Sequence, residues 1–348
     1  MNPLISRLNI SVFRGVRELE LDNLSRINVL IGANNSGKTS VLEVIRLMSQ
    51  PDNIGTLMQV AFLRTPISTR KSKVVEYFST MFTKDADDTG KVHYSLAFEM
   101  NIDNELYKYE AGGDIGELTD STGTSNKTFS LTIKVAQKNK KPLYISHHIL
   151  NGAIENFESS QEPLYRGTYL HSGVSYYKSC VHLLSESIIN EQKKEILDII
   201  KSFDPNVEDI SIVGEDVYLH NSISGTLPLF SYGSGLQKAV LLTAVLANNR
   251  NGIVLIDEID NAINISAFHE VFSWFTDACR RLNIQTFVTT HSAETIDTIL
   301  ESVCTNSQDD IRIITLRKDI EQQKTRAVLR TGKEALLDRS EFEMELRV

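Results

Sequence analysis

Residues 5–21 alternate between apolar and polar side chains, with Leu8, Ile10, Val12 and Val16 in the apolar phase. A period of two belongs to a strand with one buried face, so this segment predicts two strands turning at Arg14-Gly15. Residues 27–31 form an apolar run of strand length that stops at Gly32. Over 38–48 the period lengthens, and Val41, Val44, Ile45 and Met48 recur at the spacing of one helix face. Strand, glycine loop and helix make a βα unit.

The middle of the chain changes character. Residues 92–100 set His93, Ser95 and Ala97 against Tyr94, Leu96 and Phe98; 106–109, 129–135 and 143–149 look similar, with clusters of Asp, Asn, Gly and Lys between them. Four strands without intervening helices predict an antiparallel lobe inserted after the first helix. Ile196, Leu197, Ile199, Ile200 and Phe203 then mark an amphipathic helix that stops before Pro205. From residue 228 helix and strand alternate: helix 237–249, strand 252–256, helix 265–282, strand 285–289, helix 293–301, strand 311–316. That order predicts a parallel, helix-covered sheet, which 311–316 and 326–329 would close. The sequence shows no internal repeat, low-complexity tract or sustained heptad.

Composition narrows the class. The 348 residues are 41% hydrophobic and 23% charged, with 18 Gly and 7 Pro, which excludes collagen-like and largely disordered chains. At roughly 150 residues per domain the length predicts about two domains or one large one. Lys and Arg number 36 against 45 Asp and Glu, a formal charge of −9, which argues against a bulk nucleic-acid coat. The basic clusters Arg70-Lys71-Lys73, Lys138-Lys140-Lys141 and Arg280-Arg281 read as solvated faces or turns. Cys180, Cys279 and Cys304 have neither disulfide-framework nor zinc spacing. Arg7 and Arg14 interrupt any signal-peptide core. The nearest approach to a membrane span, 240–247, is too short and contains Thr243, so a cytoplasmic protein without a membrane anchor is expected.

Candidate chemistry begins at Gly32-Ala33-Asn34-Asn35-Ser36-Gly37-Lys38-Thr39, a complete G-x-x-x-x-G-K-[ST] pattern between an apolar strand and a helix. Its glycines let backbone N–H groups aim at phosphate oxygens, and the helix adds its positive end. Lys38 would reach the β- and γ-phosphates, and the Thr39 hydroxyl would ligate Mg²⁺. The expected nucleotide-contacting set is Gly32, Asn34, Asn35, Ser36, Gly37, Lys38, Thr39 and Ser40. ATP and Mg²⁺ are the expected cofactors.

Residues 252–256 form an apolar strand ending in Asp257-Glu258. An acid at a buried strand tip near a phosphate loop can hold the metal, which points to Asp257. A neighbouring acid can polarise the attacking water, which points to Glu258 as base. Phe287-Val288-Thr289-Thr290-His291 ends the next strand, and His291 there could hydrogen-bond the γ-phosphate. Catalysis is therefore expected from Glu258, Lys38 and His291. Ser231-Tyr232-Gly233-Ser234-Gly235-Leu236-Gln237 opens a helix and offers a second anion-binding end, which suggests use on a neighbouring subunit.

The order of phosphate loop, Ser-Gly-x-Gln turn, Ile-Asp-Glu and Thr-Thr-His resembles the ABC-type ATPase heads of the SMC, RecF and OLD (overcoming lysogenisation defect) group. The resemblance runs from Val12-Phe13-Arg14-Gly15 to Glu345-Leu346-Arg347. It implies an α/β P-loop NTPase head carrying an inserted antiparallel β lobe and a helical segment. The head would occupy 1–348: N-terminal strands, P-loop and first helix in 1–50, the strand-rich insert in 51–185, a helix and connecting strands in 186–227, and the remaining motifs in 228–348. It also implies that Ser234, with Gly235, contacts the γ-phosphate held by the partner subunit, that Asp260 faces the partner site, and that Arg14 lies near the nucleotide. Leu236 departs from the glycine usual in transporters and SMC proteins, a variation that OLD-like ATPases tolerate. Gln137 and Gln161 are the candidates for the Q-loop glutamine, and no adenine-stacking aromatic is identified.

An SMC protein would need coiled-coil arms where this sequence has a strand-rich insert. A full OLD nuclease would need a Toprim domain, and 57 residues follow His291. The resemblance therefore implies a stand-alone OLD-like ATPase that forms a head-to-tail homodimer or a higher homo-oligomer through shared ATP sites. It would gate a separately encoded effector, a nuclease or toxin, in bacterial anti-phage defence. Two alternatives remain open: a RecF-like ATPase that binds DNA directly, which the acidic charge disfavours, and an ATP-locked scaffold that hydrolyses slowly.

Overall fold

The computed structural model describes residues 4–65, 73–86, 90–119, 125–151, 162–171, 176–189, 192–262, 265–303 and 310–342. The chain opens with strands β1 (Ile5–Phe13), β2 (Val16–Leu21) and β3 (Ile27–Ile31) and helix α1 (Lys38–Ser49). The two-strand turn, the apolar strand and the helix stand where the hydrophobic periods put them. Helices α2 (Ile54–Phe62) and α3 (Val74–Ser79) follow, then strands β4 (Thr83–Ala86), β5 (Val92–Ile102), β6 (Glu105–Thr119), β7 (Ser125–Gln137) and β8 (Leu143–Leu150). Neither helix was expected. Asn53 starts α2 by accepting the N–H groups of Gly55 and Thr56, a side-chain cap that replaces missing helical bonds.

The remaining elements are β9 (Gly167–Leu170), α4 (Tyr176–Ile189), α5 (Lys193–Phe203), β10 (Val207–Val213), β11 (Asp216–Asn221) and β12 (Gly225–Pro228). After these come α6 (Ser234–Asn248), β13 (Ile253–Ile256), α7 (Ile259–Ala262), α8 (Ile265–Arg281), β14 (Gln285–Thr289) and α9 (Ala293–Val303), then β15 (Ile311–Asp319), β16 (Lys324–Thr331) and α10 (Gly332–Phe342). They pack into two units, each gathered from separate stretches. One comprises Met1–Leu24, Gly32–Tyr165 and Thr315–Leu329; the other comprises Ser25–Ile31, Arg166–Ile314 and Arg330–Val348.

In the first unit the antiparallel strands run in the order β2-β1-β5-β6-β7-β8, with β4 also on β5. The inserted strands thus continue the N-terminal hairpin rather than forming a sheet of their own. Leu8 faces Leu21 across one ladder and Met100 across the other. Tyr94, Leu96, Phe98, Met100 and Ile102 all turn inward from β5, the period-two pattern of a one-faced sheet. Phe129 packs among Phe78, Phe82 and Tyr94, with ring centroids 5.0–5.4 Å away. Strand β6 is far longer than the 106–109 expected, because Gly112-Gly113 lies inside it. A Cβ at Gly113 would stand 1.9 Å from the Ser130 carbonyl oxygen, so backbone crowding requires glycine where a turn would ordinarily be read.

The second unit holds the parallel ladders β9-β13, β13-β14 and β14-β3, with β15 next to β3 in the sheet order. Ile27, Val29, Ile31, Val254, Ile256 and Val288 bury side chains from these strands against Val240, Leu241, Ala244 and Val245 of α6 and Phe272, Phe275 and Cys279 of α8. The apolar run at 240–247 therefore lies within α6, buried in this core. No described helix is long and apolar enough to cross a membrane. Asn28, fully buried in β3, donates to Ser25 O and Thr286 O and accepts the Ser25 N–H, so its polarity is matched within the sheet. Strand β9 was not expected, since Gly-Thr-Tyr-Leu carries almost no hydrophobic period. It forms because Ile253 and Asp257 donate backbone bonds to Arg166 O and Leu170 O. A separate antiparallel sheet, β10-β11-β12, lies in the same unit.

Candidate nucleotide site

The phosphate loop belongs to the first unit. Gly32 has φ +135, and a Cβ there would sit 2.3 Å from Leu316 O; Gly37 has φ +108, and its Cβ would meet Val16 Cγ2 at 2.6 Å. Both conformations lie where L side chains are strained, and Asn35 at φ +62 adds a left-handed turn that asparagine tolerates. Positive φ at these three positions turns the loop backbone in the way that anion-binding loops turn theirs. Helix α1 begins at Lys38 with Gly37 as N-cap and no side-chain cap, so its positive end faces the loop. Ser36 is buried with its hydroxyl unpartnered, as a group awaiting a polar ligand would be. Lys38 arches back and donates from Nζ to Gly32 O at 2.8 Å and Ala33 O at 3.0 Å. Thr39 is half-buried, and Ser40 Oγ accepts from Arg64 Nη2 at 3.2 Å.

Arg14 is engaged one helical turn below. Its Nε and Nη2 reach the two oxygens of Glu43 at 2.8 and 3.3 Å, and Arg64 grips the same carboxylate at 2.8 and 2.7 Å. Glu43 is fully buried on α1, and Arg14 also donates to Val60 O. The structure therefore places Arg14 on the helix that carries the loop.

The acidic strand tip belongs to the second unit. Asp257 is almost fully buried, and its Oδ1 accepts from Thr289 Oγ1 at 2.7 Å. The same Thr289 oxygen accepts the Glu258 N–H at 2.8 Å. Glu258 has φ +56, a left-handed conformation that costs about 1–3 kcal/mol in a non-glycine residue and so needs such a holder. Its Oε1 stands 3.9 Å from His291 Nε2, and both side chains are about one-third exposed. Thr290 donates its N–H to Leu30 O, and its hydroxyl accepts the Ser292 N–H. Ser292 Oγ in turn accepts the Thr295 N–H and starts α9. The sequence motifs give Thr289 no role. Its one signal is a hydroxyl inside an otherwise buried strand beside the acidic one.

The remaining candidates lie elsewhere along the chain. Ser234 opens α6, and its side chain lies outside the described residues. Gln237 folds back to donate to Tyr232 O and Phe230 O, and burial pulls the Lys238 ammonium below its ordinary range. Asp260 keeps a buried, unpartnered Oδ1. Gln137 closes β7 opposite Tyr107, while Gln161, Arg70 and Lys71 lie outside the described residues. Arg280 is paired with Asp277 and Asp310, as a solvated structural face would be.

A family model described as AAA ATPase domain matches residues 4–148. Another, whose description names an AAA domain, the AbiEii toxin and the type IV TA system, matches residues 138–297. An ATP/GTP phosphatase of Helicobacter pylori is 23% identical over 333 residues, covering 86% of this chain and 88% of that protein. The DNA replication and repair protein RecF of Acinetobacter baylyi is 37% identical over 60 residues, 17% of each chain. Among solved structures, an Smc head bound to the C-winged helix domain of ScpA superimposes with a TM-score of 0.54 at 13% identity, covering 96% of this chain and 99% of that one. That likeness shows the fold.

Proposed function

We propose that this chain, an ABC-type ATPase by fold and motif, binds ATP with Mg²⁺ on the loop 32–39 and hydrolyses the γ-phosphoryl group to water. The observation that carries the reading is covalent. Strand β3 ends at Ile31, the loop begins at the next residue, and β3 pairs in parallel with β14, which pairs in parallel with β13. Carboxyl ends of neighbouring parallel strands share one sheet edge, where α/β folds bind nucleotides. Thr39 and Asp257 supply oxygen ligands of the kind Mg²⁺ takes alongside phosphates. The metal would neutralise charge on the transferring group. Lys38 and the loop N–H groups stabilise the same charge, Glu258 accepts a proton from the attacking water, and His291 contacts the γ-phosphate. The Helicobacter pylori relative's name supports hydrolysis.

On this reading two copies pair head to tail, with Ser234 and Gly235 of each completing the other's site. Hydrolysis separates them and works a separately encoded effector, a nuclease or toxin, in anti-phage defence. The test is direct. Lys38→Ala should lose ATP binding by at least 10-fold in equilibrium dialysis. Glu258→Gln should bind ATP normally yet hydrolyse it at least 100-fold more slowly, and wild-type turnover in that variant would remove Glu258 as base. The RecF match favours one second reading, direct DNA binding in repair. It requires ATP-dependent duplex binding that weakens steeply with salt.

A further inference from the structure

Asp257 and Glu258 adjoin in the chain but face different tasks, one holding a metal and one drawing a proton from water. The Thr289 hydroxyl touches both, donating to Asp257 Oδ1 at 2.7 Å and accepting the Glu258 N–H at 2.8 Å. The β13-β14 ladder pairs Ile256 with Val288, so Thr289 stands level with Asp257 just past the last rung. Thr289 and Asp257 are both buried, where water cannot replace a lost partner. Glu258 follows the strand with a left-handed φ of +56. The N–H that fixes this turn is the one Thr289 accepts.

We propose that Thr289 is a positioning residue of the hydrolytic site. One hydroxyl sets the plane of the Asp257 carboxylate and holds the turn that aims Glu258. The inference rests on the ATPase reading above. Valine has the shape of threonine without the hydroxyl and can do neither task, whereas serine can do both. Groups that orient a metal-holding side chain typically account for about 10–100-fold in metal affinity or activity.

The experiment compares full-length wild type, Thr289→Val and Thr289→Ser. Mn²⁺ serves as the probe metal, and its affinity for the ATP-bound chain is read by electron paramagnetic resonance, beside metal-free ATP affinity, kcat, KM and thermal melting. Thr289→Val should weaken Mn²⁺ by about 10-fold or more and lower kcat by about 10–100-fold. Metal-free ATP affinity should hold, KM for the metal–ATP complex should rise in step with the lost metal affinity, and Thr289→Ser should restore Mn²⁺ affinity and kcat to within about 3-fold of wild type. Unchanged Mn²⁺ affinity and kcat in Thr289→Val would overturn the proposal. So would a Thr289→Ser variant that melts like wild type yet stays defective. Failure of the unaltered chain to bind ATP would overturn the parent reading and this one with it. Intact ATP binding with Mn²⁺ affinity unmoved would overturn this one alone.

Discussion

Gly32 shows what a phosphate loop asks of one position. Its φ of +135 is a region that side chains shun, and the space a Cβ would fill is taken by the backbone oxygen of Leu316 at 2.3 Å. Gly32→Ala should therefore move the loop, costing about 1–3 kcal/mol from the backbone conformation alone. ATP affinity should fall by at least 10-fold, which titration calorimetry and chemical unfolding would read separately. Glu43 carries a different demand. Its buried carboxylate is shared by two guanidiniums, and Arg14 is itself nine-tenths buried. Glu43→Ala leaves Arg14 without its carboxylate, and the loss should be about 3–5 kcal/mol in urea unfolding. Arg14→Ala should likewise act first on stability, because its guanidinium is committed to α1.

Element by element, strand β6 makes the sharpest demand. Gly113→Val would drive a side chain into Ser130 O on β7, and we expect about 3 kcal/mol of destabilisation or more, visible as a lower melting temperature. That glycine pair also explains part of what the sequence concealed. Gly-Gly-Asp reads as a turn until the register of β6 on β7 shows two backbones in close approach. Strand β9 was hidden for the opposite reason, since four residues carry too little period to stand out from a loop. The phosphate loop and the Asp-Glu strand were legible because their chemistry resides in contiguous residues at fixed spacing. The role of Thr289 was not, because it depends on which strand lies beside β13. The placement of Arg14 depends likewise on a buried acid 29 residues away in the chain.

At the scale of the whole molecule, the proposed cycle needs two copies. Glu258→Gln with ATP and Mg²⁺ should sediment at twice the mass of the nucleotide-free chain. Ser234→Arg in the same background should stay single if the second copy completes the site. The net charge of −9 makes a protein partner the better fit than a nucleic-acid lattice. The division of the chain into interleaved units has a consequence for how it is born. Strand β3 is made within the first 31 residues, yet its ladder partner β14 spans Gln285–Thr289. The nascent chain must carry an apolar strand with its β14 neighbour unmade until Gln285–Thr289 have been added. Contacts this distant in sequence form slowly and leave collapsed intermediates exposed. On the ribosome the antiparallel strands can zip together first, while the parallel sheet closes late. Any chaperone that shelters this protein should hold it longest through residues 27–31.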